Sequence, residues 1–250
     1  MTTYLRECFI VFRRQIRMNL RNPAWVLIGA FQPVLYVLLF GPLLEPLIDQ
    51  FGATNAYTFF IPGMLVQLGI FGAFFAGFSL IGEWREGVIE AERVTPAARS
   101  SLLVGRLMRD ELQLLVQALI LVALGYLLGM DASIGGMVLG VVLTLLIGGA
   151  CAASSNAFAL TVKSEDVMAP VINMVMMPVL LLSGILLPMT IGPGWLERAS
   201  DFMPIRHVVD AVRGAFGGDY SSMFWGVSWS ILLFGVAVWW GTSTFRKENA

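Results

Sequence analysis

Six stretches of the chain carry no Asp, Glu, Lys, Arg or His: Ala24–Leu44, Tyr57–Gly82, Leu112–Met130, Ala132–Val162, Val167–Leu196 and Tyr220–Phe245. The shortest would still run about 28 Å at the helical rise of ~1.5 Å per residue, close to the ~30 Å of a bilayer's hydrocarbon core. Each therefore predicts a transmembrane helix, with spans at about 24–44, 57–82, 110–130, 134–162, 167–187 and 222–245. The two longest runs exceed one crossing, which predicts a tilt, a break or a re-entrant piece. Pro170, Pro178, Pro188 and Pro193 fall in the fifth run, so its span is expected to stop near Leu187.

Between these runs the polar positions are periodic. Over residues 4–22, Leu5, Phe9, Phe12, Ile16 and Leu20 share one face of a helix, while Arg6, Arg13, Arg14, Arg17 and Arg21 occupy an adjoining face. That pattern predicts an interfacial helix, with its apolar side in the acyl boundary and its arginines toward anionic headgroups. Asn22-Pro23 would end it before span one. Over residues 83–94, Trp84, Val88, Ala91 and Thr95 align opposite Arg85, Glu86, Glu90, Glu92 and Arg93, with Ile89 out of place. A short helix with one face on protein or membrane and one toward water or a charged partner is expected there. Thr95-Pro96 suits an N-cap followed by a first-turn proline, starting a helix that rises through Leu102, Leu103 and Leu107 into span three. Between spans five and six, Ile205, Val208, Val209, Val212 and Phe216 form an apolar stripe. Asp210 is spaced there to pair with Arg206 and Arg213.

Composition agrees with an all-α polytopic membrane protein forming one domain, 1–250. Hydrophobic residues make up 57% and charged ones 13%, with mean hydropathy +0.78, against roughly 25% charged in soluble domains. The net charge of −1 says nothing about nucleic-acid or acidic partners, because in such a chain the placement of charge matters more than its sum, and no nucleic-acid partner is expected. Arg85, Arg93, Arg99, Arg106 and Arg109 between spans two and three, Lys163 after span four, and Arg246 and Lys247 after span six fall on the same side as the five N-terminal arginines. The other side has Arg198, Arg206 and Arg213. The positive-inside bias thus predicts both termini in the cytoplasm. The first apolar run is as long as a bilayer is thick and no small-residue cleavage site follows it, which predicts a retained anchor rather than a signal peptide. Cys8 and Cys151 have neither CxxC spacing nor His neighbours, so no disulfide, metal or other cofactor is expected in this chain.

Within the spans, Gly69, Ala73 and Gly77 fall in one row, and Gly148, Ala152 and Asn156 in another, as close helix packing requires. The polar residues Gln32, Gln67, Asn156 and Asn173, with Phe71, Phe75 and Met177, are candidates to line a pathway, although interhelical hydrogen bonds and packing account for them equally well. An intramembrane enzyme would need an ionisable group at membrane depth. The charge-free runs supply none, and the sole histidine, His207, falls in the outer stripe. A channel would favour a charged or carbonyl-lined filter, for which no span has a charged ring candidate. No G-x-x-x-x-G-K-[ST] occurs and neither lysine follows a glycine, so the chain lacks a P-loop.

EWREGVIEAERVTPAARSSLLVGR, Glu83 to Arg106, and SGILLPMTIGPGWLERASDFMPIRHVVDAVRG, Ser183 to Gly214, resemble the membrane subunits of ABC exporters of the second superfamily, the daunorubicin-resistance-type permeases. The first is similar to that family's acidic stretch, Thr-Pro and Leu-Leu-x-Gly-Arg/Lys. The second is similar to its span-five exit, Pro-x-Trp-Leu turn and Asp-Ala-x-Arg helix. With the six-span layout, the resemblance covers the whole chain. It implies a permease that moves a hydrophobic or amphipathic drug, antibiotic or lipid outward across a bacterial inner membrane. A polysaccharide or lipid-linked glycan exporter is the alternative. It implies a coupling helix at 83–94 docked on a separate ATPase that binds ATP and Mg, with Glu83, Trp84, Arg85, Glu86, Gly87, Val88, Glu90, Arg93, Thr95 and Pro96 at the contact. It also implies a connecting helix at 4–22, a second copy or similar permease to complete the pathway, and outer helices over 193–217. Pro188, Trp195, Pro204, Asp210 and Arg213 would form an exit gate there.

Overall fold

The computed structural model describes residues 2–21, 24–46, 48, 55–94 and 98–248. Eleven α-helices follow one another: α1 (Thr2–Arg21), α2 (Ala24–Leu44), α3 (Ala56–Phe74), α4 (Ala76–Arg85), α5 (Val88–Arg93), α6 (Arg99–Leu127), α7 (Ile134–Val162), α8 (Glu165–Leu182), α9 (Gly194–Asp201), α10 (Pro204–Gly217) and α11 (Met223–Glu248). No strand occurs among the described residues. Among the described residues, five segments are long and apolar enough to cross a membrane: α3 with α4, then α6, α7, α8 and α11. Ile28–Leu44 of α2 is a shorter apolar helix.

Helix α7 is the hub, packed against α3, α4, α6, α10 and α11. Small residues let it be approached closely. A Cβ on Gly69 would sit 3.0 Å from the Thr144 carbonyl oxygen, and one on Gly148 would lie 3.6 Å from the Gly69 Cα. The two small-residue rows therefore face one another, and backbone contact replaces side-chain packing.

Span two is not one straight helix. Its α3 and α4 segments meet at Phe75, where the Phe78 amide bonds back to the Phe75 carbonyl instead of the residue before it. Ser155 of α7 enters this break: its hydroxyl donates to the Phe74 carbonyl and accepts from the Gly77 amide at 3.1 Å. A kink in lipid requires that its freed backbone groups find partners, and Ser155 supplies both.

Two boundaries differ from the sequence expectation. Span three belongs to one continuous helix, Arg99–Leu127, that passes through Leu102, Leu103 and Leu107, and Arg106, Arg109 and Asp110 all find partners along it. Thr95 and Pro96 lie outside the described residues. The cap observed is Ala98, whose amide donates to Glu7 Oε2 of α1 at 2.9 Å, alongside the Ser101 hydroxyl at 3.1 Å. Span five ends at Leu182 rather than Leu187, since Gly184 adopts the left-handed φ of 72° that turns the chain.

Helix α1 resolves into three faces. Cys8, Val11 and Gln15 are buried against α6, where a Cβ on Gly105 would lie 2.7 Å from that of Val11. Leu5, Phe9 and Leu20 are exposed, Phe12 and Ile16 are half-buried beside them, and Arg6, Arg13, Arg14, Arg17 and Arg21 are exposed on the third face. A protein face, an apolar face and a cationic face together suit a helix lying at a bilayer surface.

Candidate functional site

The stretch between spans two and three folds as an elbow, α4–turn–α5, rather than as one helix over 83–94. Gly87, at φ 73°, makes the turn. Because this left-handed residue breaks the helix, the face expected from continuous periodicity is not the one that packs. Ile89 (3% exposed) and Glu92 (9%) point inward, and Ala91 is exposed.

Beneath the elbow lies a buried ionic knot. Arg106 of α6, 2% exposed, reaches Glu83 Oε2 with Nε at 3.0 Å and Nη2 at 2.6 Å, and Glu92 Oε2 with Nη2 at 2.8 Å. Helix α1 closes the network: Arg14 bonds Glu92 at 3.0 Å and Gln15 donates to Glu83 at 2.7 Å. Arg109 then links Gln15, Ser79 and Asp110. Charges this deeply buried persist only when paired and hydrogen-bonded, so α1, α4, α5 and α6 are held as one piece. Glu83 is therefore turned inward, which corrects its expected place on the partner-facing side.

What faces out is Arg85, Glu86, Glu90, Ala91 and Val94, the last 87% exposed. Arg85 also pairs with Glu165, the first residue of α8, at 2.9 Å. Trp84 is half-buried beneath the Lys163 ammonium, 5.9 Å from its ring centre, and Val88 is half-buried beside it. The Arg93 side chain lies outside the described residues.

The family model for the ABC-2 type transporter matches residues 6–216. The chain belongs to the ABC-2 type transporter family. A daunorubicin resistance ABC transporter permease protein, DrrB1 of Streptomyces coeruleorubidus, is 29% identical over 198 residues, covering 78% of this chain and 69% of its own. A putative transport permease, ycf38 of Cyanophora paradoxa, is 24% identical over 214 residues, 84% of this chain and 74% of its own. A probable doxorubicin resistance ABC transporter permease protein, DrrC of Mycobacterium tuberculosis, is 24% identical over 193 residues, 76% and 70% of the two chains. The chain is thus a multi-pass transmembrane permease subunit of an ABC exporter, and membership implies a separate ATPase subunit in a membrane setting.

In this ABC-2 permease the residues singled out for a pathway do not converge. Gln67 and Asn156 are buried between helices, where, among the described residues, Gln67 Oε1 and Asn156 Nδ2 find no partner. Gln32, Phe75, Asn173 and Met177 are exposed on α2, α8 and the break in span two, with Phe71 half-buried. Gln32 donates to Tyr36 and Asn173 to the Ala169 carbonyl, both within their own helices.

The outer helices are fastened by two arginines. Arg206 reaches Asp210 at 3.6 Å, the Glu197 carbonyl at 2.9 Å, Ser200 and Asp201. Arg213 turns toward the spans instead of forming the second expected ion pair. Its Nη2 donates to the Ile185 carbonyl at 2.8 Å and its Nε to the Phe59 carbonyl at 3.3 Å, with the guanidinium 4.2 Å from the Phe59 ring centre. Burial pulls its pKa down to about 10, still well above neutrality, so it remains a cation clamping α10 to spans two and five. Trp195 is exposed, while Pro188 and Pro204 are half-buried and flank α9.

Sequence inspection missed Arg106, Gln15, Ile89 and Glu111. Glu111 just precedes the third charge-free run, yet its carboxylate lies against Gly149, near the midpoint of the 29-residue α7. The inference that no ionisable group lies at membrane depth is thereby corrected.

Proposed function

We propose that this permease moves a hydrophobic or amphipathic small molecule outward across a bacterial inner membrane, driven by a separate ATPase that docks on the α4–α5 elbow and holds ATP and Mg. The drug resistance named for two of its relatives supports this cargo class. One observation carries the coupling reading: the elbow presents Glu86, Glu90 and Val94 outward while Arg106 of α6 and Arg14 and Gln15 of α1 hold its inner side and Arg85 ties it to α8. A push on such a unit moves several helices together, as a two-state rearrangement requires. The apolar faces of α2 (Phe31, Leu39, Leu43) and α8 (Met174, Met177, Leu181) are exposed in a single chain. They suit a second copy or a similar permease, which would complete a pathway of twelve spans.

Two outcomes are expected. The complex copurified with its ATPase hydrolyses ATP faster when an amphipathic drug such as doxorubicin is added; a rate indifferent to every drug and lipid tested would contradict the cargo class. A cysteine at Val94 is labelled by a membrane-impermeant maleimide only from the cytoplasmic side. Cys8 and Cys151 are buried and give a low background. Labelling of intact cells from outside would reverse the topology.

A further inference from the structure

Buried charges in this protein are held by ion pairs or hydrogen bonds, whereas, among the described residues, the half-buried Glu111 against the middle of α7 is held by neither. Arg109 neutralises Asp110, donating to Oδ1 at 2.9 and 2.6 Å. Among the described residues no hydrogen bond or ion pair reaches Glu111. Its Oε1 rests on the Gly149 ledge of α7, where an added Cβ would meet it at 2.5 Å and the Phe234 ring of α11 at 2.7 Å. An isolated carboxylate in hydrocarbon is costly, and such a group is neutralised by a proton or by a cation brought to it.

Beside it is a cavity of about 30 Å³ between α3, α6 and α7, lined by Glu111, Asp110, Gln117, Gly72, Ala73 and Gly148. Asp110 Oδ2, buried and without a partner, lies in the same wall. One free carboxylate and one orphan acceptor oxygen thus border a space that admits a group the size of water. Such a space takes the head of a molecule and not its body. On α3, a Cβ at Gly72 would meet nothing within 4 Å, so the mouth is open. Phe75, one turn along, is 55% exposed, and Phe71 is half-buried next to Gly72. The charged and aromatic parts therefore adjoin.

We propose that this cavity receives the ammonium group of a cationic amphiphile, with Glu111 as counter-charge, Asp110 Oδ2 as second acceptor and the apolar body of the cargo along Phe71 and Phe75. The proposal rests on the small-molecule export reading and narrows its cargo to amines. A protonated amine brought to Glu111 supplies the counter-charge that its neighbours do not. The other titratable groups around Glu111 are Asp110 and Arg109 on its own helix and the Cys151 thiol on α7. The packed surfaces of α3 and α11 contribute Gly72, Ala73 and Phe234.

The test uses the permease with its ATPase in nanodiscs and two probes, dansylcadaverine, which is protonated at neutral pH, and its neutral N-acetyl derivative. The wild type is expected to bind the amine about tenfold or more tightly than the amide, a difference of about 1.4 kcal/mol per decade. Glu111→Gln removes that preference by weakening the amine far more than the amide, while Glu111→Asp keeps part of it. Gly72→Leu, which enters open space and spares the fold, blocks the mouth and also removes the preference. Equal weakening of both probes by Glu111→Gln, or an unchanged preference in both Glu111→Gln and Gly72→Leu, overturns the proposal. An intact Glu111-dependent preference without ATP-driven accumulation of either probe in inverted vesicles would support the amine site and contradict the export reading.

Discussion

Replacing Arg106 with methionine is expected to lower the stability of the purified permease by about 3–5 kcal/mol, the cost of breaking a buried ion pair by removing one partner. The guanidinium leaves behind Glu83 and Glu92, whose side chains are 11% and 10% exposed. Gln15 and Arg14 still reach them, but neither supplies a buried cation to both. The loss belongs to the orphaned carboxylates, so the triple variant Arg106→Met, Glu83→Gln, Glu92→Gln should recover most of it. Arg106→Lys should recover less, because an ammonium cannot make the forked contact with Glu83 while reaching Glu92. Thermal unfolding in detergent checks the series. A single variant as stable as wild type, or a triple variant no better than the single, would mean that the knot does not hold the elbow.

This knot was illegible in the sequence for a definable reason. Glu83 and Arg106 are 23 residues apart, and Gln15 lies 68 residues before Glu83. Periodicity reports which positions share a face of one helix and is silent about contacts between helices. By contrast α7, predicted at 134–162 and found at Ile134–Val162, was plain because the charges Asp131 and Lys163 bound its apolar run. The rows of Gly69 and Gly148 were equally plain, since small residues at helical spacing have one main use in lipid.

The elbow was legible in place and misjudged in facing. Treating 83–94 as one helix put Ile89 among the polar residues and Ala91 on the buried side. A left-handed Gly87 resets the register, so that Ile89 and Glu92, at i and i+3 in α5, become the inner face. Glu111 was misjudged for a related reason: a charge-free run marks where a helix must be in lipid, but not where it starts to be. Helix α6 carries four charged residues from Arg106 to Glu111 into the bundle because three of them are paired there.

The other large effect is expected from the opposite side of the elbow. Glu86→Lys with Glu90→Lys should lower ATP-driven export by about tenfold or more, since reversing charges on a docking surface replaces attraction with repulsion. Stability should barely move, by about 0.5 kcal/mol or less, because both side chains are solvent-exposed and outside the knot. The contrast with Arg106→Met separates transmission from folding: one variant weakens the permease itself, whereas the other leaves it intact and deaf to its ATPase. Replacing the same two residues with Asp, which keeps their charge, should be silent.

Coupling through the elbow requires that the ATPase binds there. Copurification of the ATPase with tagged permease tests it directly: wild type and the paired Glu86→Asp, Glu90→Asp variant should retain the subunit, and Glu86→Lys with Glu90→Lys should lose it while remaining membrane-inserted and equally stable. Full retention of the ATPase by the double lysine variant, with export unchanged, would contradict it.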